Sequence, residues 1–226
     1  MEPFKSIFTI NIAGYKLGIT SSVITQWVII LLVLILSLIL TRNLKRIPGK
    51  RQTVLEGIVN GIKNVVIENM GKENAFYGSF FLSLAMFIAL MNLTPLIGFR
   101  APTEDYSVPA GLAIFMIIVM QVGAVRKNGF GNYIKGYGKP VVVMVPMNII
   151  EKFTLPLSLS LRLFGNMVSG GVIMGLIYSA LGKVSWVAQI GVPIIGHAYF
   201  DIFDGLIQTL IFTMLSMVNM KILLDH

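Results

Sequence analysis

Pro156-Leu157-Ser158-Leu159-Ser160-Leu161-Arg162-Leu163-Phe164-Gly165-Asn166-Met167 sets a single arginine inside a stretch that otherwise reads as membrane-buried helix. Residues 153–161 ahead of it are uncharged, and the next charge behind it is Lys183. An arginine near the bilayer centre costs about 2.5–3.5 kcal/mol on insertion scales and more in simulations. With apolar sequence so far in both directions, the side chain cannot easily snorkel to the headgroups. It must face a protein interior, a water-filled cavity or a buried counter-charge. What Arg162 pairs with is therefore the functional question.

Working outward, the whole chain supports the membrane reading. Hydrophobic residues make up 55% of it, charged residues 12%, and the mean hydropathy is +0.81. Globular domains carry about 25% charged residues, so an integral membrane protein is indicated. Charge-free windows occur at 17–41, 74–99, 106–125 and 163–182. Each reaches the roughly 20 residues needed to cross about 30 Å of hydrocarbon as a helix. The short alternating segments of an outer-membrane barrel are absent, so helices are expected. The 226 residues form one membrane domain, a single helical bundle.

The expected crossings are 22–41, 75–98, 107–125, 147–181 and 186–223. Between the first two, Leu55, Ile58, Val59, Ile62, Val66 and Met70 repeat with helical period while Glu56, Lys63 and Glu68 fall off the stripe. Residues 52–70 thus read as an amphipathic helix on the cytoplasmic membrane surface. The last two crossings are longer than a perpendicular span, since 35 residues rise roughly 50 Å. They are expected to tilt steeply, kink or protrude. No internal repeat is visible, which disfavours an inverted-repeat transporter.

The net charge of +8 suggests nucleic acid only until its distribution is read. Arg42, Lys45, Arg46, Lys50, Arg51, Lys63 and Lys72 cluster in 42–73, and Arg126, Lys127, Lys135 and Lys139 in 126–139. Topology and lipid-headgroup contact explain these residues, and the positive-inside rule makes both segments cytoplasmic. Five crossings then put the N-terminus outside and the C-terminus, with Lys221, inside. The first apolar run is too long for a signal-peptide core and no small-residue cleavage site follows, so it reads as a retained span. An Arg-rich transit segment is also missing, which favours a bacterial plasma membrane.

Chemistry is confined to two helical stripes. Ser158, Arg162, Asn166 and Ser169 share one face of the fourth crossing. His197, Asp201, Asp204 and Gln208 share one face of the fifth, so two long helices can line a common polar path. The chain has no cysteine, no Gly-rich phosphate loop and no Ser–His arrangement for nucleophilic catalysis, so no nucleotide site or cofactor is expected. His197, Asp201 and Asp204 can be read as a titrating pair, a structural pair or a metal site. The two aspartates are either hydrated at the outer headgroup level or steps of a proton or cation relay.

Leu159-Ser160-Leu161-Arg162-Leu163-Phe164-Gly165-Asn166-Met167 resembles the signature of subunit a of F-type ATP synthases. Met91-Asn92-Leu93-Thr94-Pro95, Pro102-Thr103-Glu104-Asp105, Val145-Pro146-Met147-Asn148-Ile149-Ile150-Glu151 and Ile207-Gln208-Thr209-Leu210-Ile211-Phe212 are similar to further family segments. The likeness covers residue 75 to the C-terminus well, and the N-terminal part by topology alone. It implies a stator with two offset half-channels against a ring of c-subunits, coupling H⁺ or Na⁺ flow to rotation and ATP synthesis. Arg162 is then the essential arginine facing a c-ring carboxylate. Asn166 and Gln208 flank that site, and Asp201, Asp204 and His197 stand on the outer path. Glu151 is the implied inner access residue, and Ser107 and Asp105 are implied outer lining. Gly171 departs from the family, standing where some members carry a carboxylate. The implied partners are the c-ring, the peripheral stalk of b-subunits, and membrane lipid; no nucleic acid is expected. A stand-alone secondary transporter or ion channel is the alternative, disfavoured by the missing repeat and the arginine motif.

Overall fold

The computed structural model describes residues 6–12, 15–42, 44–131, 133, 145–183 and 188–225. Two antiparallel strands, β1 (Ser6–Ile12) and β2 (Tyr15–Thr20), form a hairpin that leads into α1 (Ser21–Thr41). This hairpin is an addition to the all-helical expectation. Next come α2 (Lys50–Met70), a 3₁₀ turn over Lys72–Tyr77, α3 (Gly78–Asn92) and α4 (Ser107–Asn128). The 38-residue α5 (Val145–Gly182) carries the arginine, and α6 (Ala188–His197) continues through a π-helical stretch, Ala198–Asp204, into α7 (Gly205–Asp225). Among the described residues, five helices are long and apolar enough to cross a membrane: Ser21–Thr41, Lys72–Asn92, Ser107–Asn128, Val145–Gly182 and Gly191–Asp225. The chain is thus an all-α, multi-pass membrane protein. The last expected crossing begins at 186, outside the described residues, as do Lys135 and Lys139 of the basic loop.

The second crossing starts earlier than expected, at Lys72, and its α-helix stops at Asn92 instead of 98. Pro95 has no N–H to offer the carbonyl of Met91, and the Thr94 hydroxyl donates to that oxygen instead at 2.7 Å. A 3₁₀ turn, Thr94–Ile97, closes on Gly98 at φ 85°, a left-handed conformation that favours glycine. Apolar composition alone carried the expectation past this stop.

The core lies between α3, α4, α5 and α7, where Phe81, Ile88, Met116, Leu163, Phe212 and Met220 are fully buried. Val66 and Met70, at the C-terminal end of the α2 stripe, pack into it, whereas Ile58 and Val59 nearer its start stay exposed. Half of the expected surface helix is therefore docked on the bundle. At the basic end, Lys127 Nζ lies 3.6 Å from Asp225 Oδ1, and Asn128 Nδ2 donates to the Leu224 carbonyl. The hairpin, the α3–α4 loop and the start of α4 lie at the opposite end.

Helices α5 and α6–α7 run antiparallel in close contact. An added Cβ at Gly170 would meet Phe200 at 3.4 Å, and one at Gly196 would meet the Met174 sulfur at 2.6 Å. The first is ordinary van der Waals contact, and at the second the Met174 side chain would have to move, so the two helices pack directly along their polar stripes.

Candidate functional site

Arg162 projects from the exposed side of α5 together with Ser158 and Ser169. Among the described residues it enters no hydrogen bond or ion pair. Around it the surface is apolar: Leu157 and Leu161 are about half exposed, as are Phe203, Leu206 and Leu210 on the neighbouring helix. This lone cation on an apolar face has no partner among the described residues.

One helical turn away, Asn166 Nδ2 donates to Gln208 Oε1 at 2.9 Å, joining α5 to α7. Gln208 is only 1% exposed and Asn166 half-buried, so this amide pair is a largely buried cross-link next to the arginine. The two residues that the sequence placed beside Arg162 do meet, though they bond to each other.

Towards the acidic end, three side chains form a chain of hydrogen bonds. Tyr178 Oη lies 3.0 Å from His197 Nε2, and His197 Nδ1 lies 2.5 Å from Asp201 Oδ2. Asp201 is buried, His197 and Asp204 are half-buried. Because both imidazole nitrogens have oxygen partners, a proton at either one is held by a neighbour, and the ring can pass it along. Among the described residues Asp204 joins no hydrogen bond, and no group of three His, Asp or Glu side chains is disposed to hold a metal. The α-helical spacing that put His197, Asp201, Asp204 and Gln208 on one face is interrupted by the π stretch. Asp201 is turned inward to His197, while Asp204 stands apart.

Asp105 and Ser107 lie at the acidic end. The Asp105 carboxylate accepts the Ser107 backbone N–H at 3.2 Å, closing the turn into α4. Both line a cavity of about 420 Å³ with Thr20, Gln26 and Gly111, bounded by α1 and α4. Glu151, near the start of α5, is exposed. Its neighbour Lys152 donates to Tyr133 Oη at 2.9 Å, and Tyr133 in turn bonds Gln121. Glu151 is thus far along α5 from Asp201 and does not join the other site residues.

Two groups at the site escaped the sequence reading. Tyr178 has no motif to mark it; its signal is only that it precedes the end of α5 by one turn, opposite His197. Glu104 stands out in the sequence only as part of the segment Pro102-Thr103-Glu104-Asp105, yet its Oε1 lies 3.4 Å from where a Cβ on Gly171 would stand. Burial pushes the Glu104 carboxyl above its ordinary range, Arg100 pulls it down and Asp201 pushes it up.

The comparisons with known proteins agree with one another. A family profile described as ATP synthase A chain matches residues 23–221. The chain is similar to ATP synthase subunit a of Staphylococcus carnosus, 35% identical over 210 residues and covering 87% of each chain. It is 32% identical over 238 residues to ATP synthase subunit a of Bacillus subtilis, covering 96% of this chain and 97% of that one. A Propionigenium modestum protein named ATP synthase subunit a, sodium ion specific, is 30% identical over 235 residues, 97% of this chain and 78% of that protein.

Proposed function

The chain belongs to the ATP synthase A chain family, and from that premise we propose that it is the stator subunit guiding an ion past Arg162 to a ring of c-subunits. One observation carries the reading: Arg162 stands on an exposed apolar face of a 38-residue helix with no partner among the described residues. An arginine there costs several kcal/mol unless a second molecule covers it with a counter-charge. A carboxylate on a membrane-embedded ring supplies both the apolar cover and the charge.

The chemistry follows from electrostatics. An opposite charge within about 4–6 Å lowers a carboxylate pKa, so Arg162 favours release of the ion from each ring carboxylate that reaches it. Once ionised, that carboxylate passes the arginine, and Arg162 blocks direct leakage between the two access paths. The outer path runs from the Asp105–Ser107 cavity towards Asp201 and His197, with Asp204 beside it. The Asn166–Gln208 cross-link holds the two helices together next to the arginine and excludes water there. The inner path opens near Glu151. Each unit charge crossing 100 mV supplies about 2.3 kcal/mol, so several per rotation drive ATP formation on other subunits.

The arrangement in the cell follows the charges. Arg42, Lys45, Arg46, Lys50, Arg51, Arg126 and Lys127 place their end in the cytoplasm, with the N-terminal hairpin outside and the C-terminus inside a bacterial plasma membrane. At about 57 Å, α5 exceeds the hydrocarbon thickness and is read as steeply tilted, which lets it follow the curve of the ring. The exposed leucines and isoleucines of α1 face lipid or the b-subunits of the peripheral stalk. The translocated ion is H⁺ or Na⁺, with the choice set mainly by the ring.

The test is Arg162→Ala in the assembled enzyme, measured as ATP-driven ion uptake into inverted membrane vesicles and as passive leak. Uptake should vanish while the complex still assembles. Uptake at the original rate would refute the stator reading.

A further inference from the structure

We propose that Glu104 is an ion-carrying carboxylate of the outer path, delivered by the α3–α4 loop onto the arginine helix at Gly171. The inference rests on the stator reading and adds to it a residue that neither helical stripe contains.

Several independent contacts hold the loop where this requires. Thr103 is fully buried, and its hydroxyl donates to Asn92 Oδ1 at 3.2 Å. Pro102 is buried as well, and the Tyr106 ring meets Phe164 edge-on at 5.4 Å on the arginine helix itself. Glu104 is thereby pinned between two anchors instead of hanging in solvent. Its carboxylate comes to rest beside Gly171, with Oε1 3.4 Å from where a Cβ would stand, so a side chain at 171 would be in van der Waals contact with it.

Three observations say what such a carboxylate does. The first is its level in the bundle. Gly170 packs on Phe200, so Gly171, Glu104 and Asp201 lie at one height, about 13 Å along α5 from Arg162. Electrostatics is the second: burial and the Asp201 charge both raise the Glu104 carboxyl, with Arg100 opposing them, so the two carboxyls lie within electrostatic reach. Two carboxyls so coupled favour sharing one ion between them. Finally there is continuity, since the next residue, Asp105, lines the cavity at the acidic end. Glu104 therefore stands between that opening and the Asp201–His197–Tyr178 chain.

For a proton the step is a simple exchange. The O–H bond at protonated Glu104 breaks as one forms at ionised Asp201, directly or through one water, and the summed charge is unchanged. Glu104 then takes the next proton from the cavity. A sodium ion would move between the same two carboxylates by exchange of coordination.

The experiment moves the carboxylate without removing it. In inverted vesicles containing the whole enzyme, Glu104→Ala should cut ATP-driven pumping by about a hundredfold, the lower end of the effect of a lost proton-transfer group. The Glu104→Ala/Gly171→Glu double variant, which puts a carboxylate back beside the same position from α5, should recover most of that loss. Immunoblots of the purified complex check assembly of each variant. A merely structural loop contact predicts no recovery, because Gly171→Glu restores none of the loop's bonds. Unchanged pumping in assembled Glu104→Ala, or no recovery in the assembled double variant, overturns the role of Glu104. Arg162→Ala in the same vesicles separates the two readings. If it abolishes pumping while Glu104→Ala does nothing, only the Glu104 assignment falls.

Discussion

Asn92 and Arg162 are both strongly polar residues set into apolar helices, and the fold treats them in opposite ways. Asn92 is completely buried, and both ends of its amide are used. Its Nδ2 donates to the Gly205 carbonyl at 3.1 Å and to Thr209 Oγ1 at 3.4 Å, while its Oδ1 accepts from Thr103. A helix, a loop and the end of the π stretch are tied together at one point. Arg162 is exposed and makes no such bond among the described residues. The polar group that holds the bundle is closed within the chain; the one that works is left open for another molecule. In a medium without water an unsatisfied donor is expensive, so an open arginine marks a surface that is covered in the assembled enzyme.

The comparison can be broken at either residue. The largest effect is expected from Arg162→Ala, which should abolish pumping yet leave the amount of assembled complex unchanged. Asn92→Ala should do the reverse, lowering thermal stability by about 1–3 kcal/mol because the buried Thr103 hydroxyl loses its acceptor and Gly205 one of its two donors. Surviving complexes should still pump, as read by heat inactivation against initial rate. If Asn92→Ala stopped pumping without loss of stability, the division between holding and working residues would fail.

Between these extremes lie the polar groups that pair within and between the last two helices. Asp201→Asn should slow ion uptake more than Asp204→Asn does, because only Asp201 joins His197 and Tyr178. Equal, negligible effects would make both surface carboxylates. A double-mutant cycle on Asn166→Ala and Gln208→Ala should give a coupling of about 0.6 kcal/mol and at most about 1.7, the range of membrane interhelical bonds. Zero coupling would show the amide pair to be incidental.

The smallest effect concerns pH. Burial raises the folded-state pKa of Glu104, with Arg100 opposing and Asp201 adding to the rise. A raised carboxyl pKa stabilises the fold at low pH and loses that contribution as pH climbs through the folded value. Glu104→Gln should therefore flatten the fall in melting temperature as pH rises from about 4 to about 7. An equal slope in both proteins would count against burial of the carboxyl.

How far these features were legible depends on how local their physics is. Each crossing shows as a run of residues without charge, because the cost of burying a charge in lipid attaches to single side chains. Arg162 stands out for the same reason. The stop at Asn92 was also written locally, in Thr94-Pro95, but the apolar residues beyond outweighed it in a hydropathy reading. Other features have no local sign. The π stretch Ala198–Asp204 carries nothing in its composition to separate it from α-helix, and the contact of His197 with Asp201, one turn on, shows only in the folded chain.

The sequence by itself determined five membrane helices, their charge asymmetry and one arginine set deep in an apolar helix, since composition prices each residue against lipid or water. Only the tertiary structure decided which polar groups meet. Those meetings depend on how separate elements pack: Asn166 reaches Gln208 across two helices, and the α3–α4 loop brings Glu104 to Gly171. No pattern along the chain connects residues so far apart.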